Sequence, residues 1–303
     1  MWIKNLCVYQ SAEPFAWSVA ELEDFLAAAQ CPKITQQTLS VEGFVPPLKD
    51  HAAMLHAEEG LIYCVYQETT RLLPGPVVKE ELDERVQAIE AEQGRKPGRK
   101  ERAELKDQIT FELMPRAFTR SRRTTVLIDM RHHRILIDSA SEARAEQAIA
   151  MLRKAVGSLP VKRPTANHSP ATAMSQWLKE PAQLPAGFTL GDRCELKGTG
   201  DEGASVRFTA MDLSREEILK LLDTDMQAVK LNLCWNDEFE FDVTEDLQFK
   251  RIKPLDLVQE NLDNLRDDDA LAELMARLIL QAGLLRSVLD RLFEYFEVDK
   301  NPA

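Results

Sequence analysis

The sequence has few of the residues on which enzyme and metal sites are commonly built. Its 303 residues include five cysteines and five histidines, without a CxxC or HExxH spacing, so we expect reduced thiols and no zinc site. No GxxxxGK[ST] phosphate-binding loop occurs. No apolar run approaches the roughly 20 residues that cross a membrane, and no apolar signal block begins the chain. We therefore expect a cytoplasmic protein with no cofactor.

The formal net charge of −12 is distributed unevenly along the chain. Residues 1–163 contain 23 lysines and arginines and 23 aspartates and glutamates, whereas residues 164–303 contain 15 and 27. Within the neutral half, residues 94–123 hold ten cations and four anions. The average charge therefore conceals a basic segment that can meet an anionic partner.

The order of apolar patterns predicts an α+β protein with antiparallel sheets. The strand-like stretches WIKNLCVYQ, LIYCVYQ, TTVLIDM and RILIDSA alternate with helical ones, and no long series of βα units occurs. Ser18 and Glu21 have the spacing of a capping box at the start of the first helix. We predict an elongated subunit with an N-terminal α+β region at 1–163, a Pro-rich linker at 164–187 and an acidic α+β region at 188–303.

Two charged helices are predicted on either side of GRKPGRK, residues 94–100. The stretch PGP at 74–76 opens the first helix, which runs to about residue 93, and the second helix extends over about 100–114. The glycines and the proline of GRKPGRK interrupt the helical pattern. We expect a helical hairpin with a basic tip.

The stretch KGTGDEGAS has the spacing GxGxxG at Gly198, Gly200 and Gly203. A dinucleotide site needs these glycines between a strand and a helix, but the strand-like SVRFTAM follows here. Asp201 and Glu202 would also place carboxylates against the phosphates. We therefore predict a β-hairpin turn.

The last predicted helix, from about residue 267 to 297, has a leucine at every seventh position. The row consists of Leu271, Leu278, Leu285 and Leu292. Such a row either joins two chains in a coiled coil or packs on its own domain, and the broad apolar stripe of this helix favours the second alternative.

Two groups of cations in the basic segment are our candidates for contact with a phosphate backbone. One group lies at the hairpin tip, and the other lies in PRAFTRSRR, around Phe118. The candidates are Arg95, Lys96, Arg99, Lys100 and Arg102 in the first group, and Arg116, Arg120, Arg122 and Arg123 in the second. Guanidinium groups bind phosphate oxygens through their planar fork. The pattern favours a polyanion partner over the alternative of a merely solvated charged surface.

Longer stretches of the sequence resemble one known family. WIKNLCVYQ, GFVPP, LLPGPVVKEELDERVQAIEAEQGRK, LMPRAF, LIDMRHHRILID and LRKAVGSLPV resemble, in order and spacing, the RdgC family of bacterial recombination-associated proteins. The resemblance is strongest over residues 1–163 and weaker beyond, where SVRFTAMDLSREEI and KLNLCW still correspond.

The resemblance implies a DNA-binding protein without enzymatic activity. Members of the family bind duplex DNA without marked sequence preference, associate with the nucleoid and restrain RecA-promoted recombination. The resemblance also implies a ring-shaped homodimer whose positively charged hole encircles DNA. It places Phe118 of LMPRAF at the contact between subunits, together with the segment of Arg207 and Met211. There TAMD stands where a relative has KKQD, and Arg207 is the candidate substitute for the missing charge.

Two other classes of protein remain compatible with the residues. One is a nuclease that uses Mg²⁺ and carboxylates, although no pair stands out among 50 acidic residues. The other is an adaptor that binds proteins through the acidic half and the C-terminal helix. For Phe118 three roles are open: a core residue, an interface residue, or a platform on which unpaired bases stack.

Overall fold

The computed structural model describes residues 2–49, 51–200 and 203–298, and it confirms the α+β class. The N-terminal half comprises β1 (Cys7–Ser11), α1 (Val19–Ala28), β2 (Ser40–Val45), β3 (Leu55–Glu58), β4 (Leu61–Leu72), α2 (Gly75–Gln93), α3 (Arg99–Leu113), β5 (Phe118–Asp129), β6 (Arg134–Ile137), α4 (Glu142–Val156) and β7 (Val161–Lys162). The C-terminal half comprises α5 (Pro170–Lys179), β8 (Phe188–Gly198), β9 (Ser205–Phe208), α6 (Glu216–Leu222), β10 (Met226–Trp235), β11 (Phe239–Thr244), β12 (Phe249–Pro254), α7 (Asp256–Asn264) and α8 (Ala270–Tyr295).

The first sheet is antiparallel, with strand order β2-β4-β5-β6-β1-β7. β3 continues the edge beside β2: it pairs with residues 61–64 of β4, while β2 pairs with residues 65–70. The strands predicted from TTVLIDM and RILIDSA are confirmed as the β5–β6 hairpin. The capping box of α1 is also confirmed, because Ser18 Oγ accepts from the backbone N–H of Glu21, whose carboxylate accepts from that of Ser18.

The second sheet is antiparallel too, with strand order β12-β11-β10-β8-β9. The predicted hairpin at KGTGDEGAS is confirmed, since Lys197 in β8 lies opposite Ser205 in β9. A Cβ at Gly203 would lie 2.4 Å from the carbonyl oxygen of Gly198, so a side chain has no room there. Asp201 and Glu202 lie outside the described residues. Gly198 and Gly203 therefore permit a close approach between the two strands, whereas a Cβ at Gly200 would meet no atom of the described residues within 4 Å beyond its chain neighbours.

The two faces of the first sheet belong to different parts of the core. Alternate residues of β4 show the division. Ile62, Cys64 and Tyr66 join a cluster that includes α1 and α4, whereas Tyr63 and Val65 join a cluster with the second sheet and α8. Because side chains of a strand alternate between faces, one apolar strand serves both clusters.

Helix α8 buries three of the four leucines of its row within the chain, which confirms the intramolecular alternative. Leu278, Leu285 and Leu292 are at most 2% exposed. The buried Gln281 accepts from the backbone N–H of Ile3 at 2.8 Å and donates to its carbonyl oxygen at 2.9 Å. This pair of hydrogen bonds ties the N-terminal segment to α8.

The Pro-rich segment 164–187 contains structure that the prediction of a linker did not include. Helix α5 lies within it, and Met174 and Trp177 are fully buried. Both belong to the same core cluster as Leu127 of β5 and Leu231 of β10. Four prolines suggested a linker, but an amphipathic helix between them packs on the core.

Candidate nucleic-acid interface

Strands β4 and β5 form a long ribbon that runs from the core to the surface. All twelve residues of β5 are paired, from Asp129 opposite Leu61 to Phe118 opposite Leu72. Residues 124–129 are buried, whereas residues 118–123 are exposed. The less polar TTVLID therefore anchors the strand, and FTRSRR carries the candidate cations to the surface.

One face of the exposed end combines an aromatic ring with two guanidinium groups. Phe118, Arg120 and Arg122 share this face because alternate residues of a strand point the same way. Phe118 is 83% exposed, and Leu72, directly opposite on β4, is 46% exposed. Glu68 is the cross-strand neighbour of Arg122. In the isolated chain Phe118 is therefore not a core residue.

The four arginines of the second candidate group fall into two kinds. Arg116, Arg120 and Arg122 are exposed, and across residues 2–49, 51–200 and 203–298 none of them has an ion pair or a side-chain hydrogen bond. The guanidinium of Arg123 instead donates through Nη2 to the carbonyl oxygens of Pro46 at 2.7 Å and Pro47 at 2.9 Å. Three of the four are therefore available to an anion, and Arg123 holds the loop after β2.

The predicted helical hairpin is confirmed as α2 and α3. It turns through Gly94, whose φ of 65° lies in the left-handed region that glycine tolerates. Val78 and Val86 on α2 and Ile109 on α3 are buried. Arg85 on α2 joins the helices through an ion pair of 2.5 Å with Glu112 on α3.

The cations at the hairpin tip are less available than the sequence suggested. Three of them have carboxylate neighbours: Arg95 lies 2.7 Å from Glu101, Arg102 lies 3.6 Å from Asp83, and Lys100 lies 4.0 Å from Glu104. Lys96 and Arg99 are exposed and have no ion pair in the part of the chain that the structure describes. The tip therefore offers two unpaired cations, Lys96 and Arg99, and two more, Lys100 and Arg102, whose ion pairs are longer than hydrogen bonds.

The other candidate interface residues, Arg207 and Met211, lie by the second sheet. Arg207 is on the edge strand β9, and its Nε is 3.0 Å from the carboxylate of Glu195. Burial alone would raise the pKa of Glu195, but hydrogen bonds from Arg207 and Lys230 lower it to about 2. Met211 is half-buried against the core. Phe118 and Arg207 thus belong to different sheets of the subunit.

A protein-family model described as "Putative exonuclease, RdgC" matches residues 1–299 of the chain. The chain belongs to the RdgC family. Among its relatives, the recombination-associated protein RdgC of Colwellia psychrerythraea is 36% identical, over 97% of this chain and 96% of its own length. The protein of the same name from Aeromonas hydrophila is 36% identical, and that from Proteus mirabilis is 34% identical, each over 97% of both chains. The matches therefore cover nearly the whole subunit.

The β4–β5 ribbon of this RdgC-family chain is supported by Arg71, which we did not identify from the sequence. Arg71, on β4, donates to four backbone carbonyl oxygens, those of Thr35 (2.8 Å), Thr38 (3.2 Å), Met114 (2.6 Å) and Ala117 (3.2 Å). It thereby joins the loop before β2 to the segment that leads into β5. A lone arginine at the end of a strand gives no signal of this role, because its acceptors are backbone atoms that are distant in sequence.

A charge network centred on a buried carboxylate connects the β5–β6 turn to α8. The carboxylate of Asp129 is 1% exposed, and it accepts from Arg286 Nε at 2.6 Å and lies 3.0 Å from His132 Nδ1. Burial alone would raise the pKa of Asp129, but Arg286 and His132 lower it below its ordinary value. Arg134 pairs with Asp290 on α8 at 2.7 Å. These ionic contacts hold the long helix against the first sheet.

Two further properties of this RdgC-family chain concern metals and membranes. Among the described residues, no group of three or more His, Cys, Asp or Glu side chains is placed to hold a metal ion. Across the same residues, no helix has both the length and the apolar character to cross a membrane.

Proposed function

We propose that this chain binds duplex DNA through the phosphate backbone, acts as a ring-shaped homodimer, associates with the nucleoid and restrains recombination by limiting the access of RecA to DNA. The observation that carries the proposal is the exposed end of the β4–β5 ribbon. There Arg116, Arg120 and Arg122 stand without carboxylate partners in the described chain, next to Phe118. The names of the relatives associate the family with recombination.

The charge distribution supports contact with the backbone and not with individual bases. Unpaired guanidinium groups attract phosphates and release condensed counterions, and this attraction does not depend on sequence. The excess of 12 negative charges lies outside residues 1–163. A DNA duplex would therefore be attracted to the arginine-bearing surface and repelled by the acidic half.

Two separate surfaces support the closed dimer. A ring of two subunits around a hole needs two contacts per subunit, one at each end. The exposed pair of Phe118 and Leu72 on the first sheet is suited to one contact, because burial of apolar surface favours association. The region of Arg207 and Met211, by edge strand β9 of the second sheet, is the candidate for the second part of that same contact.

The test is a salt titration of DNA affinity with the double variant Arg120→Ala/Arg122→Ala. A short labelled duplex is titrated with protein at several salt concentrations. We expect weaker binding and a slope of log affinity against log salt that is shallower by about 3.6 for the dimer, which is about 0.9 for each of the four phosphates that the two variant subunits no longer neutralise. The matched control is Lys197→Ala/Lys220→Ala, which removes two cations from the acidic half. Unchanged affinity and slope in the arginine variant would refute the proposal.

The rate at which DNA is released after dilution tests whether the protein forms a closed ring. After dilution, a covalently closed circular duplex should stay bound longer than a linear duplex of equal length, because a ring slides off a free end. Equal release from both would contradict encirclement.

The description of the family model favours an exonuclease as the second candidate. Incubation of end-labelled duplex with the protein and Mg²⁺ separates the two candidates. Release of nucleotides that follows the concentration of pure protein would establish the exonuclease, and intact DNA is expected from a binding protein. An adaptor without DNA affinity would show no salt-dependent binding at all.

A further inference from the structure

An open pocket of about 740 Å³ lies where the N-terminal segment meets the second sheet, α7 and α8. Its volume is within the range of about 300–1,000 Å³ that is typical of ligand sites. Apolar walls come from Trp2, Ile252, Pro254 and Leu262. The cations that line it are Lys4, Arg193, Arg251, Lys253 and Arg277. Glu240 is the one carboxylate in the described lining, which is unusual for a protein with a net charge of −12.

Specific hydrogen bonds hold the N-terminal segment against β12 and form one wall of the pocket. The backbone N–H of Ile252 donates to the carbonyl oxygen of Lys4 at 2.8 Å. Trp2 Nε1 donates to the carbonyl oxygen of Ile252 at 3.1 Å. Because its N–H is already bonded, the indole offers the pocket an apolar surface.

A β-bulge places Arg251 at this site. Glu240 of β11 lies opposite Lys253 of β12, but Asp242 lies opposite Lys250, so β12 has one extra residue. Arg251 has a φ of +53°, in the left-handed region that costs a non-glycine residue free energy. Bulges and strained residues are frequent next to functional sites, where they redirect a side chain.

The lining cations differ in how fully they are neutralised. Arg193 lies 3.2 Å from Asp242, and Arg277 lies 2.9 Å from Glu273, so carboxylates hold both in place. Arg251 and Lys253 reach carboxylates only at 3.7 and 3.8 Å, and their side chains are 61% and 70% exposed. Lys4 is exposed and has no ion pair within the described ranges. Three cations at the pocket therefore have free donors.

We propose that this pocket docks an acidic peptide segment of a partner protein. An apolar side chain of the peptide enters between Trp2, Ile252 and Leu262, and neighbouring carboxylates pair with the free cations at the rim. Burial of the apolar side chain supplies affinity, while the charges supply selectivity and a faster encounter. This site is separate from the arginine-bearing ribbon and does not depend on the proposed DNA binding.

A nucleic acid fits the pocket less well. A duplex keeps its apolar base faces stacked inside, so it would present phosphates to the rim and leave the apolar walls uncovered. An unpaired base that entered would bury its polar edge against walls that consist mostly of carbon, and its edge groups would lose their hydrogen bonds to water. An acidic peptide matches both the walls and the rim.

The test measures binding of a fluorescein-labelled peptide, three aspartates followed by a leucine and a phenylalanine, to the full chain by fluorescence anisotropy. The variant is Lys4→Gln/Lys253→Gln, which changes two exposed side chains, and the control is Lys197→Gln/Lys220→Gln. We expect saturable binding. The first variant should weaken it roughly three- to tenfold, in line with the strength of two exposed ion pairs, and the control should change it little.

Two altered peptides test the two halves of the recognition. Asparagine in place of the aspartates should weaken binding and remove its salt dependence, and serine in place of the leucine and phenylalanine should abolish it. Absence of saturable binding, or equal affinity of both double variants, would overturn the proposal. Preferential binding of labelled oligothymidylate at the Lys4 and Lys253 site would also overturn it, in favour of a single-strand site.

Discussion

Replacement of Phe118 by alanine should weaken dimerisation and leave the stability of the folded subunit almost unchanged. A fully buried phenylalanine side chain contributes about 1.5–3 kcal/mol through burial. Phe118 is 83% exposed. The substitution should therefore lower the free energy of unfolding of the subunit by only about one sixth of that value, ~0.3–0.5 kcal/mol. For a chain of this size the melting temperature should fall by at most about 2 °C. Phe241, which is fully buried, should cost about 3–5 kcal/mol in the same substitution.

The Phe118→Ala substitution should have a larger effect on the proposed dimer than on the isolated subunit. In a two-fold contact each subunit contributes its own Phe118. If the exposed parts of both rings are buried there, the Phe118→Ala substitution removes about 2.5–5 kcal/mol, or roughly a 10²- to 10⁴-fold change in the dimer dissociation constant. The variant should therefore dissociate at concentrations at which the parent protein is dimeric.

Sedimentation velocity over a wide concentration range measures the dissociation constant, and thermal unfolding gives the stability. Phe111→Ala is the matched control, since Phe111 is 54% exposed on α3. An unchanged dissociation constant would refute the interface role. A loss of stability as large as that of Phe241→Ala would refute the exposure argument itself. Loss of single-strand binding with intact dimers would assign Phe118 to base stacking.

Three further predictions concern stability. Arg123→Ala should lose about 1 kcal/mol, because two hydrogen bonds to backbone carbonyls disappear, whereas Arg120→Ala should stay within about 0.5 kcal/mol in chemical denaturation. The pKa of Glu195 is lowered from 4.5 to about 2 in the folded chain. The ionised carboxylate therefore stabilises the fold fully above about pH 4.5, and this stabilisation is lost as the pH falls towards 2. Glu195→Gln should flatten the melting temperature over that interval, and an unchanged pH profile would contradict the assignment. Asp129→Asn should cost about 3 kcal/mol, since it leaves the Arg286 guanidinium without its buried partner; a melting temperature equal to that of the parent would show that the network is not stabilising.

Local patterns in the sequence predicted several elements correctly. The capping box of Ser18 and Glu21, the β5–β6 hairpin, the α2–α3 hairpin and the turn at Gly198–Gly203 all depend on residues close together in the chain. At 164–187 the prolines did not reveal the amphipathic helix that lies between them and buries Trp177. That outcome depends on which distant surface is available to cover the helix.

The candidate site shows the same division between sequence and tertiary structure. The sequence by itself determined where the cations are concentrated and that a long apolar stripe runs along α8. Only the tertiary structure decided that Arg123 binds the carbonyls of Pro46 and Pro47 while Arg120 and Arg122 remain free. It also decided that carboxylates neutralise part of the hairpin tip. The physical reason is that charge density follows from composition, whereas the availability of a charge depends on partners that only the folded backbone brings within hydrogen-bond distance.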